Sequence, residues 1–196
     1  MKIVISRFNE DIGWEEMFVE YSSIIYNKGY HLPNTISLPN IGREGHTYMY
    51  HIVSNYESLD DYTVFLQGNP FDHSPDLFSK LYEYTSLRDK PHFFHLCHEI
   101  LIDDDKGRPH HWIDIPVSKY YNELFKVPRD EFAYGSGAQF IVSKERIQSR
   151  PKSFYIKIMK DLEESVNPPC GYCYERIWQH IFGTDEILDS FNPSPQ

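Results

Sequence analysis

Apolar positions in this chain fall in short unbroken runs separated by segments of helical period. The strongest run, Thr63-Val-Phe-Leu66, is β-branched or large throughout. Such a run suits a strand covered on both faces of a parallel sheet. It stops at Gln67-Gly-Asn-Pro70, where Gly and Pro end a ladder. Residues 2–6, 22–26 and 138–143 read as further strands of the same sheet, and His92 to Cys97 is another candidate. Residues 14–19 read as a short helix, with Asp11 as N-cap and Glu15 and Glu16 in its first turn. Residues 43–56 carry Met49, Ile52, Val53 and Tyr56 at helical spacing. Helices are also expected at 75–84, from Ser143 onward with a partial capping pattern, at 151–164 behind Pro151, and at about 173–182.

Strands alternating with amphipathic helices predict one α/β domain, residues 1–196, with a mixed, mainly parallel sheet flanked by helices. Residues 99–131 break this rhythm with Asp103-Asp-Asp-Lys-Gly-Arg-Pro-His-His111. They are expected to be a variable excursion with little regular structure. Tyr134-Gly-Ser-Gly137 reads as flexible, and 190–196 as a frayed tail.

Composition narrows the function classes. The net charge is −10, which argues against nucleic acid, because phosphate backbones need a basic surface. A nucleotide in one cleft remains compatible. With 15 Tyr and 13 Phe the aromatic share is high, and the many Tyr suit semi-polar clefts, where a ring packs while its hydroxyl stays wet. Three Cys suggest no disulfide framework. Met1-Lys-Ile-Val-Ile-Ser6 is too short in apolar length for a signal peptide, and no run approaches a membrane span. The expectation is a soluble, cytoplasmic protein.

Ligands of open α/β sheets bind at the carboxyl ends of the strands. Gln67, Asn69, Asp72 and His73 arrive at such an end together. Arg43, Glu44 and His46 stand at a helix start, where free N–H groups favour anions. Glu175 is placed in the first turn of the last helix. A carboxylate there either faces a cleft as a general base or only favours the helix dipole. The Asp103-Asp-Asp105 run looks like a metal site but reads mainly as a solvated loop. Cys170-Gly-Tyr-Cys173 has the spacing of half a zinc site with His180 as a third ligand, or is two loop thiols.

Five stretches together resemble a family of uncharacterised, glycosyltransferase-like proteins. They are Val4-Ile-Ser-Arg-Phe-Asn-Glu-Asp11, Leu38-Pro-Asn-Ile-Gly-Arg-Glu-Gly-His-Thr-Tyr48, Phe65-Leu-Gln-Gly-Asn-Pro-Phe-Asp-His73, Gly137-Ala-Gln-Phe-Ile-Val-Ser143 and Glu175-Arg-Ile-Trp178. The resemblance implies a GT-A-like (Rossmann-like) domain that moves a sugar from a nucleoside-diphosphate sugar, uridine-linked by analogy, to a saccharide or glycoconjugate hydroxyl. Arg7, Asn9, Glu10 and Asp11 would hold the nucleoside. Arg43 and His46 would lie near the diphosphate, with Gln67, Gly68 and Asn69 at the donor. Glu175 would be the base, with Asp72 as the other catalytic carboxylate. Such enzymes carry an Asp-x-Asp motif for Mn²⁺ or Mg²⁺ where this chain has Gln67-Gly68-Asn69. Amide oxygens are weaker ligands than carboxylates for these hard cations. Asp72, His73 and His180 are then the metal candidates, or Arg43 supplies the counter-charge without a metal. The competing readings are a binding module of the same fold and a histidine-dependent metal hydrolase, the latter resting on 10 His.

Overall fold

The computed structural model describes residues 1–183, so the tail expected to fray lies outside the described residues. The strands are β1 (Lys2–Arg7), β2 (Ser22–Asn27), β3 (Ile36–Ser37), β4 (Tyr62–Gln67), β5 (Phe93–His95), β6 (Ile100–Asp104), β7 (Glu131–Gly135) and β8 (Phe140–Ser143). The helices are α1 (Arg43–Asn55), α2 (Leu77–Ser86), α3 (Val117–Phe125), α4 (Lys144–Gln148), α5 (Lys152–Leu162) and α6 (Pro169–Phe182). Gly13–Phe18 and Pro70–Asp72 are tighter 3₁₀ turns.

Six strands form one sheet in the order β3-β2-β1-β4-β8-β5. The first four run parallel; β8 is antiparallel to both β4 and β5, so β5 points the same way as β4. This is a mixed, mainly parallel, Rossmann-like sheet. Successive strand residues point to opposite faces, and both faces are covered. Val4, Phe65, Phe140 and Val142 pack with Tyr48, Met49, Leu162 and Trp178 from α1, α5 and α6. Ile3, Ile5, Val64, Leu66 and Ile141 pack with Phe18, Leu77 and Leu81 on the other side. That double burial is why the strands read as continuous apolar runs.

The expected helix start at Ser143 is present: its Oγ accepts the Arg146 N–H at 3.0 Å. Three local expectations fail. Residues 99–131 are not structureless: they hold β6, α3 and the first residue of β7. β6 and β7 pair antiparallel as a second small sheet. The Tyr134–Gly137 stretch is tightly packed, with Tyr134 and Gly135 inside β7. A Cβ on Gly135 would come within 2.5 Å of Cys97 Sγ, and one on Gly137 within 2.5 Å of His73. Finally, α6 starts at Pro169 rather than near 173, because Pro fits a first helical turn. Cys170 and Cys173 are therefore buried helical thiols, each pushed up to about 12 by burial.

Candidate active site

After β1 the chain steps to β2 and β3 on one side, then crosses back to β4 on the other. The strand order reverses between β1 and β4, whose ends lie side by side with Ser6 opposite Gln67. A crevice forms outside the carboxyl ends at such a reversal. Here it is a cleft of about 390 Å³.

Eight of the residues singled out in the sequence line it: Arg7, Glu10, Arg43, Glu44, Gln67, Gly68, Asn69 and Asp72. The loop after β1 is shaped by Arg7. Its guanidinium donates to Glu10 O at 2.9 Å and to Asn27 Oδ1 at 2.7 Å, tying the ends of β1 and β2 together. Glu10 accepts the Phe8 N–H at 2.6 Å and lies over Gly68. A Cβ on Gly68 would stand 2.4 Å from Glu10 Oε2, so only glycine lets the carboxylate rest there. Asp72 closes the Pro70–Asp72 turn with its side chain exposed.

The remaining candidates lie elsewhere. Asn9 accepts the Tyr30 N–H at 2.8 Å, and Asp11 accepts the Gly13 N–H at 2.9 Å; both shape loops. His46 is buried along α1, 3.8 Å from Glu163, and burial followed by the Lys28 charge pulls its pKa down to about 4. His73 packs on Gly137. His180 lies under the rings of Tyr121 and Phe132. Glu175 sits inside α6, not in its first turn. Its Oε1 accepts the Gly137 N–H at 2.7 Å and its Oε2 accepts from Arg176 Nη1 at 3.0 Å.

Two cleft residues bear further on its chemistry: Lys28, to which the sequence gives no role, and Glu44, which it places only at the helix start. Lys28, at the end of β2, is only 8% exposed and donates to the carbonyls of Ile41 and Arg43. Burial lowers its pKa to about 8. Glu44 sits in the first turn of α1 with its Oε2 3.6 Å from Arg43 Nε. Burial raises its pKa; Arg43 opposes that, and the Glu175 charge adds to it. The run of polar residues around the helix start marked the region, but the burial comes from distant packing that no local pattern shows.

Arg43 stands at the centre. Its guanidinium lies 4.2 Å from the Tyr172 ring centroid. Among the described residues its Nη1 is buried without a hydrogen-bond partner, as is the Tyr48 hydroxyl one turn further along α1. Its backbone is strained: Gly42 and Arg43 have φ of +62° and +51°. Left-handed non-glycine residues gather at functional sites.

A family model described as "Protein of unknown function (DUF3431)" matches residues 3–90 and 84–190. The chain belongs to this family. No curated protein matches it, and no solved structure does.

For a DUF3431 member with this cleft, the donor set bears on Mn²⁺ or Mg²⁺. Asp72, His73 and His180 do not converge. No group of three His, Cys, Asp or Glu among the described residues could hold a metal ion. Cys170 and Cys173, buried in α6, belong to no such group. The described residues therefore do not fit a protein-built metal centre. The cations facing the cleft are Arg7, Lys28 and Arg43. No helix among the described residues is long and apolar enough to cross a membrane.

Proposed function

We propose that the chain is a glycosyltransferase moving a sugar from a nucleoside-diphosphate sugar, uridine-linked, to a saccharide or glycoconjugate hydroxyl with inversion. The observation that carries this reading is the cleft at the β1/β4 reversal, where the unpaired Arg43 Nη1 stands beside the Glu44 carboxyl. An unpaired buried cation edge calls for an anion, and a diphosphate supplies one. A carboxyl of raised pKa suits a general base, whose best pKa lies nearer the working pH.

In this reading Arg43 and Lys28 hold the diphosphate, with Gln67 and Asn69 hydrogen-bonding the donor. Glu44 takes the proton of the acceptor hydroxyl, whose oxygen forms the new bond to the anomeric carbon. The bond from that carbon to the diphosphate oxygen breaks, and the leaving diphosphate keeps the electron pair. Its new charge is met by cations already in place, which cost no reorganisation. Asp72, open to solvent at the cleft, is the second carboxylate within reach. Glu175 acts as a positioning residue behind Arg43, since both its oxygens are engaged.

Calorimetry with uridine, guanosine and adenosine diphosphates, with and without Mn²⁺, tests the donor site. The expected result is heat of binding that Arg43→Ala abolishes and that persists in chelator. Absence of heat with every diphosphate rejects the reading. Gln67-Gly68-Asn69, in place of two carboxylates, favours a second reading: the same cleft binding a nucleotide or sugar without turnover. Binding without donor hydrolysis or transfer would select it.

A further inference from the structure

A row of rings leaves the cleft at Arg43. The guanidinium caps the Tyr172 ring at 4.2 Å. Tyr172 meets His111 edge to face at 4.8 Å, and His111 stacks with Trp112 at 6.2 Å and 17°. Trp112 ends the row and is 88% exposed. An indole is the largest apolar side chain a loop can leave in water, and nothing in the core accounts for it.

The loop that carries it is built to hold it still. Asp104 Oδ1 accepts the N–H groups of Lys106 and Arg108, each at 2.9 Å. Buried Asp103 accepts the His110 N–H at 3.0 Å. His111 N–H donates to Gly107 O, and Ile115 N–H to Lys106 O. A ring presented on an ordered loop loses little freedom on binding, so its contact area turns into affinity. Polar groups flank the row: Asp114 is exposed, and the Tyr172 hydroxyl accepts from Asn167 Nδ2 at 3.2 Å.

We infer that Trp112 is a stacking subsite for a pyranose ring of a saccharide acceptor whose reacting end lies at Arg43 and Glu44. This rests on the transferase reading for the identity of the reacting end, but not for saccharide binding itself. A pyranose offers an apolar C–H face to an aromatic ring and turns its hydroxyls outward to polar neighbours, which is the surface found here. The row ends on Arg43, which lines the cleft, so a saccharide chain stacked on Trp112 extends toward the proposed reacting end. A protein partner docking on Trp112 would have no reason to follow the row to Arg43.

The three tryptophans make the test direct. Trp178 is buried and Trp14 partly so, leaving Trp112 as the exposed emitter. Full-length protein is titrated with oligosaccharides of glucose, galactose, mannose and N-acetylglucosamine while emission is followed. At least one series should shift or quench it. Trp112→Ala should abolish the spectral response and weaken binding, read by calorimetry, roughly 5- to 10-fold, with Trp112→Phe intermediate. Diphosphate binding and melting temperature should stay at wild-type values in Trp112→Ala. Saccharide affinity unchanged by Trp112→Ala, or no response to any series, overturns the inference. So does Trp112→Ala weakening diphosphate binding equally, since Trp112 would then belong to the donor site. Saccharide binding through Trp112 in a protein that ignores every diphosphate would refute the transferase reading and leave the subsite standing.

Discussion

Asp103 and Glu44 are both carboxylates held largely away from water, and the fold treats them in opposite ways. Asp103, on β6 with no exposed side-chain area, accepts from four donors: His110 N, His110 Nδ1, Tyr134 Oη and Arg176 Nε. Arg176 then passes to Glu175 and the Tyr172 carbonyl. The second sheet is thereby fastened to α6. Glu44 has one cation at 3.6 Å and faces a cleft. A carboxylate whose lone pairs are all used is a rivet. One left underused beside an unpaired guanidinium edge has capacity for a ligand. Buried charge alone does not mark a site; incomplete pairing does.

The sharpest break of this contrast is Glu44→Gln. Transfer should fall by about 10²–10⁴-fold with diphosphate affinity nearly kept, measured as initial rates beside calorimetry. An acid limb of the rate profile above the ordinary carboxylate range should also vanish, since the raised group must lose its proton to act. Near-normal transfer would move the base to Asp72.

Arg176→Met is the matching blow to the closed network. It takes the guanidinium from Asp103, leaving the His110 and Tyr134 donors, frees one oxygen of Glu175, and should cost about 3–5 kcal/mol in urea unfolding. Adding Asp103→Asn should recover part of the loss, because the charge left without its cation goes with it. A cost below about 1 kcal/mol would show that the network carries little of the fold.

Glu175→Gln sharpens the boundary between the two regions. Gln can still accept the Gly137 N–H but loses the charge opposite Arg176. A cost of about 1–3 kcal/mol is expected, with transfer per folded molecule within a few-fold of wild type. A loss as large as that of Glu44→Gln would restore Glu175 as the base.

The last contrast is in pH. His46, His51 and His95 are each pulled to about 4, by burial first. Their unfolded values lie near 6.5. Between about 6.5 and 4 the unfolded chain holds more protons, so stability is full above about 6.5 and declines as pH falls through that window. Glu44, raised instead, opposes this decline, because its protonated form is the one the fold favours. Melting temperatures should therefore fall on acidification, and more steeply in Glu44→Gln.

The sheet was legible because burial on both faces leaves an unbroken apolar run, as at 64–66. The cleft was half legible: Arg43 and Gln67-Gly-Asn69 sit where a strand stops and a helix starts, and local chemistry marks both. Asp103 was misread as solvated because its partners Tyr134 and Arg176 lie 31 and 73 positions away. β6 was hidden by the same acidic residues that end it. Glu175 was misplaced because α6 begins at a Pro-Cys-Gly stretch that resembles a loop. Trp112 drew no notice because its meaning depends on Tyr172, sixty positions on.

The left-handed backbone at Arg43 bears on how this protein would respond to selection for heat resistance. An L-residue in that conformation costs roughly 1–2 kcal/mol, which glycine does not incur. The segment is clamped by Lys28 on the Arg43 carbonyl and by Gly42 N–H on Ser165 O, so the conformation would persist without the side chain. Paired with Glu44→Gln, which removes the carboxylate that Arg43 offsets, Arg43→Gly is thus a change that laboratory evolution for thermal survival would find, melting higher while giving up the proposed anion site. On the proposed reading, position 43 is where durability and activity pull the sequence in opposite directions.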